Sequence, residues 1–341
     1  MNSQYSVDVL IPFHRDDQFL AKCIESVERS IGVNLRILLC DDRQKFDVPL
    51  SPYLEKYKII QTTGGRGFSN AINILSESIK SEFVTLVGSD DLVHPEKFVR
   101  QVELLNKTGA SLCLTNVGKI DASGKPLLAI SPYCSLRNFS NLYLLFGPYG
   151  ADGTWLSTNQ WWRENATFPP GNFHDWELAI KTFPNSSIVS LDAVLYYYRM
   201  HEAQSTRSVS FYVDKNLASF LEAWHRFNRQ FNLPNLTLEE FLVVSHPWGT
   251  SRNKSCDTSK MEKWQRAWIS QLDRQERSGI SQVILAKNVI RFIKHKIWLN
   301  YDILPSEFVH LVIYYLRVLI KLALDPVALK RAFFYSRGKY S

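Results

Sequence analysis

Phe83-Val84-Thr85-Leu86-Val87-Gly88-Ser89-Asp90-Asp91 is the stretch on which the reading of this chain turns. Its first five residues are apolar or β-branched without a break, the pattern of a strand buried on both faces of a parallel sheet. Two carboxylates follow at once, at the strand's C-terminal end, the edge of an open α/β sheet where ligands bind. Adjacent aspartates repel each other. A hard divalent cation, which takes carboxylate oxygens together with substrate phosphates, relieves that repulsion. Asp90 and Asp91 are therefore candidates for a metal–diphosphate site. The plainer alternative is a helix N-terminus, since His94-Pro95-Glu96 follows, Pro suits a first helical turn and Asp favours a cap.

Working outward, the upstream chain repeats a strand–helix alternation. Val7–Phe13 reads as a first strand with Pro12 at its end, and Asp16 or Asp17 caps a helix to about Ile31 whose Phe19, Leu20, Cys23, Ile24, Val27 and Ile31 form one stripe. Leu35–Cys40 is a second buried strand that also ends in a carboxylate pair, Asp41-Asp42, and Ile59-Ile60 is a short third. Gly64-Gly65-Arg66-Gly67 leads into a helix over Phe68–Ile79. Downstream, Pro95–Asn106 is the next helix and Ser111–Thr115 a fifth strand. The alternation predicts a parallel α/β sheet with right-handed crossovers. The glycines would let backbone approach a phosphate at a helix N-terminus, but the spacing is neither G-x-G-x-x-G nor a P-loop, and a flexible turn is the bland alternative. Asn73 is a poor helix former inside that helix, which suggests either a specific contact or plain exposure.

Past Asn116 the pattern changes. Lys119–Ile130 reads as a hairpin around Ala122-Ser123-Gly124, Tyr133–Gly150 as a loop with a short helix, and Gly153–Ser157 as a strand. Turn-rich Phe168-Pro169-Pro170-Gly171-Asn172 introduces His174-Asp175-Trp176-Glu177-Leu178, the start of a helix to about Phe183. Ser187–Met200 is a strand pair or one long strand, running into Tyr198-Arg199-Met200-His201. A carboxylate such as Asp175, beside an aromatic ring at a helix start, can take a proton from a hydroxyl. Positions i and i+2 of a helix do not face each other, so Asp175 and Glu177 have different roles. The alternative is a cap and a first-turn dipole contact. Trp155, Trp161, Trp162 and Trp176 could stack on sugar rings, although packing is the commoner use of such residues.

Composition bounds the rest. With 341 residues, 45% hydrophobic and 21% charged, the chain is long enough for one large or two modest globular domains. Five scattered cysteines lack metal-ligand spacing, which argues against a disulfide framework or zinc site and for a reducing compartment. No signal peptide and no run of about 18 uncharged apolar residues is evident, so a spanning helix is not expected. The net charge of +7 resides at the C-terminal end, where residues 281–341 hold ten Lys/Arg against three Asp/Glu. Helices are expected over Phe211–Phe231, Met261–Arg277, Ser281–Trp298 and Phe308–Leu324. The last carries His310, Arg317 and Lys321 at helical spacing, a basic face that suits either a membrane interface or solvent.

The ordered set Pro12-Phe13-His14, Asp41-Asp42, Gly64-Gly65 with Asn73, Ser89-Asp90-Asp91, Asp175-x-Glu177-Leu178 and Tyr198-Arg199-x-His201 resembles the GT-A-fold glycosyltransferases of family 2, over residues 5–207. The resemblance implies a GT-A (Rossmann-like nucleotide-diphospho-sugar transferase) α/β domain at 1–207 with a helical C-terminal extension at 208–341. It also implies an inverting, Mn²⁺- or Mg²⁺-dependent enzyme. Such an enzyme moves a sugar from a nucleotide-diphospho-sugar donor, a UDP-sugar, to a hydroxyl of a glycan or lipid-linked acceptor in surface polysaccharide synthesis. By position, the resemblance gives Pro12, Phe13 and His14 to the first nucleotide-contacting loop, Asp42 to the base, and Asp41 to ordering that loop. It gives Arg66 and Asn73 to the ribose or diphosphate, Asp90 to ribose or sugar, Asp91 to the metal, and His201 to a metal or diphosphate contact. Asp175 takes the place of the catalytic base. This chain departs from the family's usual residues at Phe13-His14, at Arg43-Gln44 and at His174, where Tyr-Asn, Gly-Ser and Glu are usual. The expected place is the cytoplasm, with a peripheral membrane contact through the basic end, and nucleic acid is not expected as a partner. Two rivals stay open: a nucleotidyltransferase, which would not need Asp175, and a non-catalytic nucleotide-sugar or nucleic-acid binding module, which would need neither carboxylate and would bind nucleic acid with a steep salt dependence.

Overall fold

The computed structural model describes residues 5–46, 49–131, 150–171, 173–202 and 217–238, with single residues among 144–148, at 204 and up to 267. The expected helices beyond Met261 and most of Tyr133–Gly150 lie outside the described residues. The chain divides into two compact units, Met1–Arg137 with Pro148–Phe220, and Asn138–Gly147 with Leu221–Ser341.

The first unit is built on a nine-stranded sheet. β1 (Ser6–Phe13), β2 (Asn34–Asp41), β3 (Ile59–Gln61) and β4 (Phe83–Leu86) are mutually parallel, in the order β3-β2-β1-β4. Val7, Val9, Ile11, Leu39 and Phe83 are fully or almost fully buried, as continuous apolar strands of a covered sheet should be. The helices between them are α1 (Gln18–Glu28) and α2 (Phe68–Ser76). Asp17 is the cap of α1, its Oδ1 accepting from the N–H groups of Phe19 and Leu20 at 2.8 and 3.2 Å. Asp16 instead accepts from Ser51 N–H and the Tyr53 hydroxyl.

Beyond β4 the sheet is mixed, which corrects the expectation of an all-parallel one. A two-residue strand, β5 (Leu92–Val93), precedes α3 (Lys97–Thr108) and had no signal in the sequence. β6 (Leu112–Asp121) runs on through the expected strand end into the hairpin with β7 (Pro126–Ser131). β8 (Leu156–Thr158) lies antiparallel between β4 and β6, and α4 (Asn159–Asn165) follows it. After α5 (His174–Thr182), β9 (Ile188–Met200) is one long strand, parallel to β6 with register shifts and antiparallel to β5. An antiparallel strand needs no helical crossover, so the strand–helix alternation that carries the first half is lost here. The four tryptophans named above are all buried, and Trp161 and Trp162 donate to Ser186 and Ser76. Among the described residues Cys23, Cys40 and Cys113 are free thiols in the core.

In the second unit, α6 (Leu217–Arg229, whose first residues belong to the first unit) presents Trp224 to Trp264, rings stacked with centroids 5.7 Å apart. Asn228 accepts from the Trp264 indole N–H at 2.7 Å. Among the described residues no helix is long and apolar enough to cross a membrane.

Candidate active site

Two carboxylate pairs end up on the C-terminal side of strands that flank β1. Asp41 closes β2 fully buried, and Arg43 satisfies it through Nε and Nη2 at 2.9 Å each. Asp42, 6% exposed, accepts from the Thr62 hydroxyl at 2.5 Å and the Arg66 N–H at 2.9 Å on one oxygen, and from the Gly67 N–H at 2.8 Å on the other. Asp42 thus frames the glycine-rich loop that opens α2. Gly67 stands at φ +91°, a conformation that L side chains rarely adopt. Arg66 is exposed, its Nε held by Thr63. Asn73 spends both ends of its amide on the backbone of Phe168, at 2.9 and 3.0 Å, and ties α2 to the turn before α5.

The pair after β4 is used differently, and neither residue caps a helix: β5 intervenes, and α3 begins after Glu96. Asp91 is 3% exposed. One of its oxygens accepts from the Tyr196 hydroxyl at 2.5 Å and the other from the Arg199 N–H at 2.8 Å. Burial, with the charge of Asp90 adding to it, pushes Asp91 well above the usual carboxylate range. Both of the oxygens expected to take a metal face inward, and each already accepts one hydrogen bond. Asp90 is the accessible member, its side chain 34% exposed, with Oδ2 2.9 Å from His201 Nε2. Its backbone carbonyl accepts from Arg199 Nε at 2.7 Å. Phe19 supports both partners, with the His201 ring centroid 4.8 Å away and the Arg199 guanidinium 5.0 Å over its ring.

Tyr196 stands behind this pair. Its hydroxyl also accepts from Gly88 N–H at 3.1 Å, and a Cβ at Gly153 would lie 2.2 Å from the phenol. Only glycine fits between the turn before β8 and this ring. Of the residues assigned to the first nucleotide loop, Pro12 and Phe13 are buried in β1 and His14 alone is exposed. Partial burial and then the charge of Arg15 pull its imidazole below the ordinary value, against Asp90, Asp17 and Asp42.

Asp175 occupies the first turn of α5, but the cap is Phe173, without a side-chain hydrogen bond, so capping does not explain it. It is half-buried, with Oδ1 accepting from Trp176 N–H at 2.8 Å. Burial raises it to about 6, against the nearby charge of His174 and with that of Asp152. The His174 ring stacks on Phe68, the first residue of α2, with centroids 4.7 Å apart. Contacts thus run from Asp42 through Gly67 and Phe68 to His174, next in the chain to Asp175. Glu177, by contrast, is buried and paired with Lys181 at 2.5 Å.

The family profile described as Glycosyl transferase family 2 matches residues 8–152, the segment that supplies both aspartate pairs. This chain carries a family 2 glycosyltransferase domain. Transfer of a glycosyl group is therefore its chemistry, which settles the choice among the three readings open from sequence. An uncharacterised glycosyltransferase of Rickettsia prowazekii is 24% identical over 248 residues, 70% of this chain and 74% of the relative. One from Rickettsia typhi is 23% identical over 247 residues, with the same coverage. Among solved structures, S. aureus TarS 1-349 in complex with UDP-GlcNAc is similar with a TM-score of 0.54, over 92% of this chain and 90% of that one, at 13% identity. Its complex with UDP gives 0.53 over 88% and 94%, at 16%. This likeness establishes the GT-A fold of the glycosyltransferase.

Sequence reasoning missed Asp152, Tyr196, Phe19 and Phe68. Asp152 had a faint signal, an Asp-Gly turn beside an expected strand. The others read as ordinary apolar positions. Among the described residues, no group of three or more His, Cys, Asp or Glu side chains converges on one point. The Asp90–His201 pair offers one oxygen and one nitrogen, a donor set compatible with an ion that completes its shell from substrate phosphates and water.

Proposed function

We propose that this glycosyltransferase moves a sugar from a UDP-sugar to a hydroxyl group of a glycan or lipid-linked glycan, with inversion at the anomeric carbon. The observation that carries the reading is the division of labour at the sheet edge. A partly exposed carboxylate, Asp90, paired with the His201 imidazole, stands on a buried Asp91 held by one donor on each oxygen, while a half-buried carboxylate, Asp175, is raised to about 6 near the glycine-rich loop. TarS binds UDP-GlcNAc and UDP on the same fold, which supports the choice of donor nucleotide.

In this reading Asp90 and His201 would hold Mn²⁺ or Mg²⁺, which would supply positive charge against a departing diphosphate. Arg199 fixes Asp90 from below through its carbonyl, and Asp42 holds the loop on which the nucleotide rests. Asp175 takes the proton from the acceptor hydroxyl as that oxygen bonds to the anomeric carbon and the bond to the diphosphate oxygen breaks. A base near 6 is ionised at neutral pH and still basic enough to accept a proton. The basic C-terminal segment, rich in aromatic residues, brings the enzyme to the membrane surface that carries a lipid-linked acceptor.

The test is thermal stability and turnover together. UDP with Mn²⁺ should raise the melting temperature of wild type and of Asp175→Asn alike, and not that of Asp90→Ala. A ligand at about 100 times its Kd adds about 2.7 kcal/mol. Asp175→Asn should lose about 10²–10⁴-fold in transfer. Failure of UDP, with or without Mn²⁺, to shift the folded wild type would overturn the donor assignment.

A further inference from the structure

His174 has an acceptor oxygen facing each of its ring nitrogens. Its Nδ1 lies 2.9 Å from the carbonyl oxygen of Gly171, and its Nε2 lies 3.4 Å from Oδ2 of Asp152. A carbonyl oxygen and an ionised carboxylate oxygen only accept hydrogen bonds, so each contact is favourable only if the nitrogen facing it carries a proton. Both nitrogens protonated make an imidazolium. Its flat face lies on Phe68, at an interplanar angle of 28°, an arrangement that suits a cation, and Phe168 stands 5.9 Å away on another side. The other Asp152 oxygen accepts from Gly153 N–H at 2.8 Å, so the carboxylate is itself fixed in place by the turn that packs on Tyr196.

We propose that His174 is a positioning residue: an imidazolium anchored by Asp152 and Gly171, whose charge beside Asp175 keeps that base ionised. The inference rests on Asp175 being the base. Among the described residues, the charged groups that face the pair are Asp152 from the turn before β8 and, behind it, Asp91 with the Tyr196 hydroxyl; Phe68 and Phe168 bring no charge. Burial, the largest single influence on His174, lowers its pKa. The hydrogen bond to Asp152 and the charges of Asp175 and Asp152 together outweigh burial and leave it raised. The sign for catalysis follows. Activity requires Asp175 without its proton, so it falls as pH drops through about 6, and the charge on His174 keeps that acid limb from lying higher.

The deciding measurement needs no substrate. In the full-length chain labelled with ¹³C and ¹⁵N at histidine, and with the signal assigned by loss in His174→Gln, the ring of His174 should be doubly protonated at pH 7. It should titrate above an unperturbed histidine, and Asp152→Asn should lower its midpoint by about one unit, a tenfold change in proton affinity. A neutral, singly protonated ring at pH 7 in wild type overturns the proposal. Turnover of the UDP-sugar selected by a donor screen gives a second reading. His174→Gln should move the acid limb of kcat upward by about one pH unit, a loss of about fivefold at pH 6 that narrows toward pH 8, and His174→Lys should restore it. A uniform loss at every pH, unrelieved by Lys, marks a structural role and overturns the inference while leaving Asp175 as base. Full activity of Asp175→Asn removes the base itself, and this inference with it.

Discussion

Asp41-Asp42 and Asp90-Asp91 are the same dipeptide at the same kind of place, beyond the C-terminal ends of the two strands that flank β1. In the first pair both carboxylates are consumed by the protein, Asp41 by Arg43 and Asp42 by Thr62 and two loop N–H groups. In the second, one is consumed and the other is left half in solvent against an imidazole. A buried carboxylate held by donors from within organises the backbone around it, whereas an exposed one is open to a ligand. The difference teaches that reactivity at such an edge is assigned by what remains unsaturated, not by which residue ends the strand.

Four substitutions would break or sharpen this contrast. Asp90→Asn should have the largest effect, a loss of at least about 10²-fold in turnover with melting temperature unchanged, since its side chain makes no buried contact with the core. Equal loss of stability would place Asp90 in the same class as Asp91. Arg43→Met should do the reverse. It strands the fully buried Asp41 and costs about 3 kcal/mol in urea unfolding. Retained stability would mean that Asp41 finds another partner. Asp42→Ala leaves the N–H groups of Arg66 and Gly67 without their acceptor. It should cost about 1–3 kcal/mol and weaken nucleotide binding measured by calorimetry. Unchanged affinity would detach the loop from the donor site. Tyr196→Phe should have the smallest effect, about 1 kcal/mol, by removing one donor to Asp91 and one acceptor for Gly88. A collapse of turnover there with stability intact would show that Asp91 takes part in the chemistry after all.

The parallel half of the sheet was legible because its strands are continuous apolar runs and its helices carry single stripes. β1, β2 and β4 stand within a residue or so of their expected bounds. In the mixed half the hairpin and the long last strand were legible too, but β5, with two residues, is too short for any period to register, and β8, with three, overlaps only the end of the expected Gly153–Ser157. The candidate site was legible as a list and not as a set of roles. Nothing in Ser89-Asp90-Asp91 says which carboxylate turns inward, since that is decided by Tyr196 and Arg199 on β9. Asn73 left a specific contact and plain exposure equally open, and the resemblance gave it to the donor, whereas both ends of its amide hold the Phe168 backbone. His174 was noted as a departure, and its partner Asp152 was passed over because a turn aspartate has a sufficient local explanation.

The links from β9 back to the Asp90–Asp91 turn span sequence separations of 105, 108 and 111 residues. During synthesis the aspartates therefore emerge long before the strand that turns one of them inward and gives the other its imidazole. Until His201 has left the ribosome, the chain carries two adjacent carboxylates with no division between them. Closing so long a loop is among the slower steps of folding, so activity should switch on late and all at once. A nascent or truncated chain that ends before β9 would hold both aspartate pairs and Asp175 but lack the Asp90–His201 pair and the groups that turn Asp91 inward.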